Sequence, residues 1–286
     1  MKMLNSQYIS TNGIQLHCKV GGEGPLMIML HGFPEFWYSW RKQIPALLPH
    51  FKLVIPDMRG YNKSDRPKGV KNYQLSALVA DIKGLIQHFV NEKAIIVGHD
   101  WGGAVSWALS YEEPALVEKL IILNMPHPYE MWRNVLTNFE QTKRSYYIFL
   151  FQFPGIAEYG INADLQSFFL RSLRDWSHNK DAFTDEDIAH YIKAFADPSA
   201  MTAAINYYRA SSRYLKMWLN GKKKKVQCPV LMIWGEDDKA LGKELTYTTP
   251  RYCANRVFTK YIPNCSHWVQ HEYPDIVNQE ILAFLK

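Results

Sequence analysis

Ten consecutive residues, Ala94-Ile95-Ile96-Val97-Gly98-His99-Asp100-Trp101-Gly102-Gly103, limit what this chain can fold into more than any other stretch. The four apolar residues at the start read as a strand buried on both faces, and Ala104-Val105-Ser106-Trp107-Ala108-Leu109 continues as a helix. A strand that becomes a helix within a few residues needs glycine, because a side chain there would strike the facing backbone. Gly98, Gly102 and Gly103 bracket such a turn, and the turn pushes one residue, Asp100, up above the sheet at the positive end of the helix.

The segments around this turn predict a parallel sheet covered on both sides. Tyr8–Thr11 and Gln15–Val20 read as a hairpin about Asn12-Gly13. Leu26–Leu30 is a buried strand that runs into His31-Gly32-Phe33-Pro34-Glu35, a loop whose Phe33–Pro34 bond admits the cis form. A helix is expected from about Trp40 to Leu48, a strand over Phe51–Pro56, and a helix from Gln74 to Val90 with Leu75, Leu78, Val79, Ile82, Leu85, Ile86 and Phe89 on one face. Val117–Leu123 is the next strand. Strands that alternate with helices in this way argue for an α/β fold.

The pattern changes from about His127 to Gly221, where aromatic-rich helical segments replace strands. One begins at Thr184-Asp185-Glu186-Asp187, a capping box with Asp in place of Glu, carries Ile188, Ile192 and Phe195, and stops at Asp197-Pro198. Another runs from about Ser199 to Tyr208. Pro229–Gly235 and Val257–Ile262 then resume the sheet, and a helix spans about Asp275 to Leu285. The expected organisation is a core in two parts, residues 1–126 and 222–286, with a helical lid over 127–221.

Composition narrows the function classes. A chain of 286 residues with 47% hydrophobic content buries a large core, and 21% charged residues is ordinary for a globular protein. The net charge of +6 concentrates in Lys222-Lys223-Lys224-Lys225, which has no interleaved aromatics and reads as a solvated loop rather than a nucleic-acid patch. Cys18, Cys228, Cys253 and Cys265 form no C-x-x-C pair, and the first residues carry no apolar leader, so reduced thiols in a soluble, cytoplasmic protein are expected. There is no phosphate-binding or dinucleotide fingerprint, so no cofactor is expected. Cys265, His267 and His271 lack a convincing metal spacing, so no metal is expected either.

The turn around Asp100 has the layout of the nucleophile elbow of α/β-hydrolases, with Asp where Ser is usual. In that fold an acid and then a histidine follow the nucleophile in chain order. Gly235-Glu236-Asp237-Asp238 supplies an acid after a late strand, and Asn264-Cys265-Ser266-His267-Trp268 supplies the histidine. An Asp side chain ordinarily titrates at about pH 4, so it is ionised at neutral pH and needs no base to attack. Attack on a saturated carbon gives an alkyl ester on Asp100. His267, oriented by Asp238, would then take a proton from the water that cleaves the ester. The backbone N–H groups of Phe33 and Trp101 are the expected oxyanion donors. His31 and His99 read as loop-stabilising, and Asp57, next to Arg59, as an ion-paired structural residue.

His31-Gly32-Phe33-Pro34-Glu35 with Trp37-Tyr38-Ser39-Trp40-Arg41, Asp57-Met58-Arg59-Gly60-Tyr61, Gly98-His99-Asp100-Trp101-Gly102-Gly103 and Cys265-Ser266-His267-Trp268 resemble the soluble epoxide hydrolases of the α/β-hydrolase superfamily. The resemblance spans nearly the whole chain. It implies Asp238, in a Gly-Glu-x-Asp pattern, as the acid, with Asp237 adjacent, and two lid tyrosines on the epoxide oxygen. One precedes Phe151-Gln152-Phe153-Pro154-Gly155, which selects Tyr147, and the other lies in Asn206-Tyr207-Tyr208-Arg209, which selects Tyr208. Without the resemblance, Tyr146 and Tyr207 are equal candidates. A protonated phenol suits a developing alkoxide. Asn124, at the end of the strand before the lid, fills a place where the resemblance implies that some relatives carry the acid, and an amide cannot serve as one.

The implied activity is hydrolysis of an epoxide to a vicinal diol. Phe33, Pro34, Trp101 and Trp268 are expected to line the substrate site, and the partners are a small apolar epoxide and water, with no nucleic acid, no membrane, and a monomer or homodimer. One alternative is a haloalkane or haloacid dehalogenase with the same Asp-His-Asp set. Phe33 brings no side-chain donor for a halide, and Trp101 stands where a fluoroacetate-type enzyme would want arginine. A second alternative is a non-catalytic binding protein on the same fold, which would be expected to have lost one of the three residues that this chain keeps.

Overall fold

The computed structural model describes residues 4–90, 92–213 and 225–286; Lys222–Lys224 and the expected lid end at Gly221 lie outside the described residues. Eight strands form one sheet in the order β1-β2-β4-β3-β5-β6-β7-β8. They are β1 (Asn5–Thr11), β2 (Ile14–Gly21), β3 (Leu26–Leu30), β4 (Lys52–Pro56), β5 (Ala94–His99), β6 (Val117–Leu123), β7 (Val230–Gly235) and β8 (Val257–Ile262). β1 pairs antiparallel with β2, and β2 with β4, whereas every pairing from β4 through β8 is parallel. The β1–β2 turn places Asn12 and Gly13 at φ 45° and 75°, the left-handed pair that a two-residue hairpin demands.

Burial on both faces explains the unbroken apolar strands. Ile28, Leu30, Ile96 and Met232 belong to one buried cluster, and their neighbours Met27, Met29, Ile95, Val97 and Ile233 belong to another. Helix α1 (Leu75–Phe89) buries Leu78, Val79, Ile82, Leu85 and Ile86 in the first cluster, while α4 (Pro274–Leu285) sends Val277 and Ile281 into the second. Each such side chain contributes about 1.5–3 kcal/mol by leaving water.

The described residues between β6 and β7 contain helices and no strand, from Pro128–Thr137 through Asp185–Ala194 to α3 (Pro198–Arg213). The capping box at Thr184 is formed: the Asp187 N–H donates to Thr184 Oγ1 (3.1 Å) and the Thr184 N–H donates to Asp187 Oδ2 (2.9 Å). The helix expected over Trp40–Leu48 is instead a 3₁₀ turn, Trp37–Trp40, followed by a single helical turn, Ile44–Leu47. Pro45 is the physical reason, since it lacks an N–H and fits only the first turn of a new helix. No helix among the described residues is long and apolar enough to cross a membrane.

The sheet centre and α2 (Trp101–Glu112) meet with no room for a side chain at the bend. A Cβ on Gly102 would lie 2.1 Å from the Leu30 carbonyl oxygen, and one on Gly98 would lie 2.5 Å from the Gly102 carbonyl oxygen. Both obstructions are backbone. Gly102→Ala is therefore expected to cost about 1–3 kcal/mol or more, seen as a lowered Tm or loss of soluble protein. A variant as stable as the parent would contradict this packing.

Candidate active site

The site begins at the bend between β5 and α2. Asp100 sits at φ 49°, a left-handed conformation that non-glycine residues adopt at a cost of about 1–3 kcal/mol. Its side chain rises between the sheet edge and the loop after β3. There the Phe33 N–H donates to Asp100 Oδ1 at 2.8 Å, and the Phe33–Pro34 peptide bond is cis.

The loops after β7 and β8 bring the other two residues to the same sheet edge. His267 Nδ1 lies 2.7 Å from Asp238 Oδ2, and Nε2 lies 3.6 Å from Asp100 Oδ2. Asp238 is buried, and its Oδ1 accepts the N–H groups of Ala240 (2.8 Å) and Leu241 (2.9 Å). Asp237, one residue earlier, is half exposed and lies 3.7 Å from His178 at the surface. Burial alone opposes a charge on His267, but Asp238 and Asp100 outweigh it and lift the imidazole pKa to about 10. Burial likewise opposes ionisation of Asp238, yet the His267 charge and the hydrogen bonds it receives hold its carboxyl below the usual range.

A cavity of about 250 Å³ opens over Asp100 and His267, lined by Phe33, Pro34, Tyr147 and Trp268 among others. Trp101 lies instead on a smaller cavity of about 40 Å³. Asp100, Tyr147 and Tyr208 are the residues common to the walls of both. Burial, and then the charge of Asp100, push both phenols upward in pKa, so they remain protonated donors. Their neighbours are placed differently. Tyr207 is buried with its hydroxyl donating to the Arg59 carbonyl (2.7 Å), and Tyr146 is 65% exposed on the outer rim of the larger cavity.

Two supporting groups were not anticipated as such. Asn124, which cannot be the acid, donates from Nδ2 to Asp238 Oδ2 (2.7 Å) and accepts the Gly235 N–H (3.2 Å), tying the acid to the end of β7. Glu35 is fully buried and accepts from Ser39, Tyr191, Gln270 and His271, with His99 Nδ1 at 3.1 Å. Burial disfavours its charge, but His271 and His99 hold its carboxyl well below the usual range. The other His99 nitrogen lies 2.9 Å from the His267 carbonyl, so this cluster fixes the loop that carries His267. His271 faces an Arg41 donor through Nδ1 and Glu35 through Nε2, a pattern that fits a neutral ring. Burial accordingly lowers its pKa to about 4.

His31 stabilises its loop, accepting the Met58 N–H at Nε2 (2.9 Å) and reaching the Gly32 carbonyl with Nδ1 (2.9 Å). Asp57 is a buried structural residue, but its partner is not Arg59. It bonds His17 (2.7 Å), while Arg59 turns to Asp81 (2.6 Å), because β2 pairs beside β4 and presents His17 to the strand end. The four cysteines are free and buried.

A family model described as alpha/beta hydrolase fold matches residues 25–274. The chain is 42% identical to AB hydrolase superfamily protein YfhM of Bacillus subtilis (strain 168), covering 100% of this chain and 99% of that one. It is 35% identical to Epoxide hydrolase 4 of Mus musculus over 97% of this chain and 78% of the relative. Among solved structures, an epoxide hydrolase from Bacillus megaterium in complex with an inhibitor superposes with a TM-score of 0.89 at 33% identity, covering 98% and 99% of the two chains. The chain belongs to the alpha/beta hydrolase fold family, and epoxide hydrolases are among the relatives and solved structures that it resembles over nearly its whole length.

The raised His267 pKa carries a stability consequence. A histidine that gains carboxylate partners on folding contributes stability fully present below its unfolded pKa of about 6.5. That contribution is lost as pH climbs through about 10. Between those limits the parent should lose more Tm with rising pH than His267→Gln, in which this titration is absent. Parallel Tm–pH curves would contradict the ion pairing.

Proposed function

We propose that this protein hydrolyses epoxides to vicinal diols through an ester on Asp100. The observation that carries the reading is the junction of the two cavities, where one carboxylate and two phenols share both walls. An oxirane placed there has its carbon against a nucleophile and its oxygen against two donors. Residues 127–221 act as the lid that supplies the phenols. The names of the relatives and the solved neighbour agree with this reading.

Asp100 Oδ1 is held by the Phe33 N–H, which leaves Oδ2, the oxygen facing His267, to attack. The Oδ2–carbon bond forms as the ring C–O bond breaks, and the alkoxide takes a proton from Tyr147 or Tyr208, later replaced from solvent. Alkylation removes the Asp100 charge, one of the two that keep His267 protonated, so ester formation itself lowers the His267 pKa and frees the ring to act as a base. His267, steadied by Asp238, removes a proton from water, and the hydroxide attacks the Asp100 carboxyl carbon. Charge then collects on Oδ1, where the Phe33 N–H already points and the Trp101 N–H opens the helix. Collapse releases the diol, which takes the proton from His267, and the proton left on the Asp100 carboxyl passes to the freed imidazole, restoring the carboxylate beside a charged His267.

Parent protein with styrene oxide should release phenylethanediol, and His267→Gln should stall with a mass increase of one substrate on Asp100. Replacing both Tyr147 and Tyr208 by Phe should lower turnover by more than about 10²-fold. Normal turnover in His267→Gln, or halide release from a bromoalkane outpacing diol formation, would overturn the assignment.

A further inference from the structure

The two cavities that meet at Asp100, Tyr147 and Tyr208 are unequal, and under the function proposed above this inequality selects the substrate. The larger offers about 250 Å³ and the smaller about 40 Å³. An oxirane at the junction points its two carbons into different arms. The larger arm is the roomier seat for a bulky substituent, and the smaller arm is the tighter one.

The walls of the small arm give no easy relief. Met125, Met131 and Trp132 are each 7–8% exposed and pack in the main core cluster, and Leu241 is 2% exposed. The Ser211 hydroxyl donates to the Tyr208 carbonyl (2.8 Å), and beyond Asp100, Tyr147 and Tyr208 the arm's walls are mostly apolar. Met131, like Met125, is unbranched and adaptable, and it lies on the short helix Pro128–Thr137.

We infer that the preferred substrates are epoxides with a bulky apolar group on one carbon and hydrogen or a short alkyl group on the other, and that Met131 helps to set the limit on the second substituent. Opening a close-packed arm to a second phenyl ring means overpacking, which costs typically 1–3 kcal/mol, or up to about 100-fold in rate.

The test compares kcat/KM of the parent for styrene oxide, trans-1-phenylpropylene oxide and trans-stilbene oxide. The first two should lie within about tenfold of each other, and stilbene oxide should fall about 100-fold lower. Met131→Ala should raise the stilbene-to-styrene ratio by at least about tenfold. Equal use of stilbene and styrene oxides by the parent would overturn the inference while leaving epoxide hydrolysis standing, and an unchanged ratio in a folded Met131→Ala would remove Met131 from it. Should that variant fail to fold, the parent series alone decides. No turnover of any of the three would overturn the proposed function as well.

Discussion

The close passage of α2 over the end of β3 is the constraint on which the rest depends. With Gly102 against the Leu30 carbonyl, the helix starts one residue after Asp100 and its N-terminus lies directly beneath the carboxylate. The same approach lets the loop after β3 fold across, so that the Phe33 N–H reaches Oδ1. A carboxylate in an uncommon backbone conformation, gripped on one oxygen and open on the other, is a product of that packing. A looser sheet–helix contact would let Asp100 relax and lose the difference between its two oxygens.

Electrostatics adds a second dependence. His267 stands between two carboxylates and is held in the charged form by both, against the effect of its own burial. Under the proposed mechanism the first chemical step erases one of these carboxylates, so the base is released only when there is an ester to cleave. The backbone donors and Asn124 on Asp238 hold the second carboxylate in place and favour its charge.

Much of this was legible in the sequence because it is local. The strand–turn–helix around Asp100, the loop at Gly32-Phe33-Pro34, the cap at Thr184 and the strand ends at Asp238 and His267 each lie within a few consecutive residues. The site features that escaped are assembled from distant parts of the chain. Glu35, His99, Tyr191 and His271 converge through pairings that no spacing announces, and Asn124 is recognisable as an anchor only once β6 and β7 are known to be neighbours. The same limit explains Asp57: adjacency in sequence suggested Arg59, whereas sheet order supplied His17. The two-cavity shape is likewise a property of packed side chains and has no sequence signature.

The central claim is that an oxygen of Asp100 is transferred to substrate and replaced from water. A single turnover with enzyme in excess, run in heavy-oxygen water, tests it directly. The account predicts unlabelled diol and one heavy oxygen in the Asp100 carboxylate, found by mass analysis of the peptide that contains it. Labelled diol with an unlabelled Asp100 would mean that water attacks the epoxide itself, and the carboxylate would not be the nucleophile.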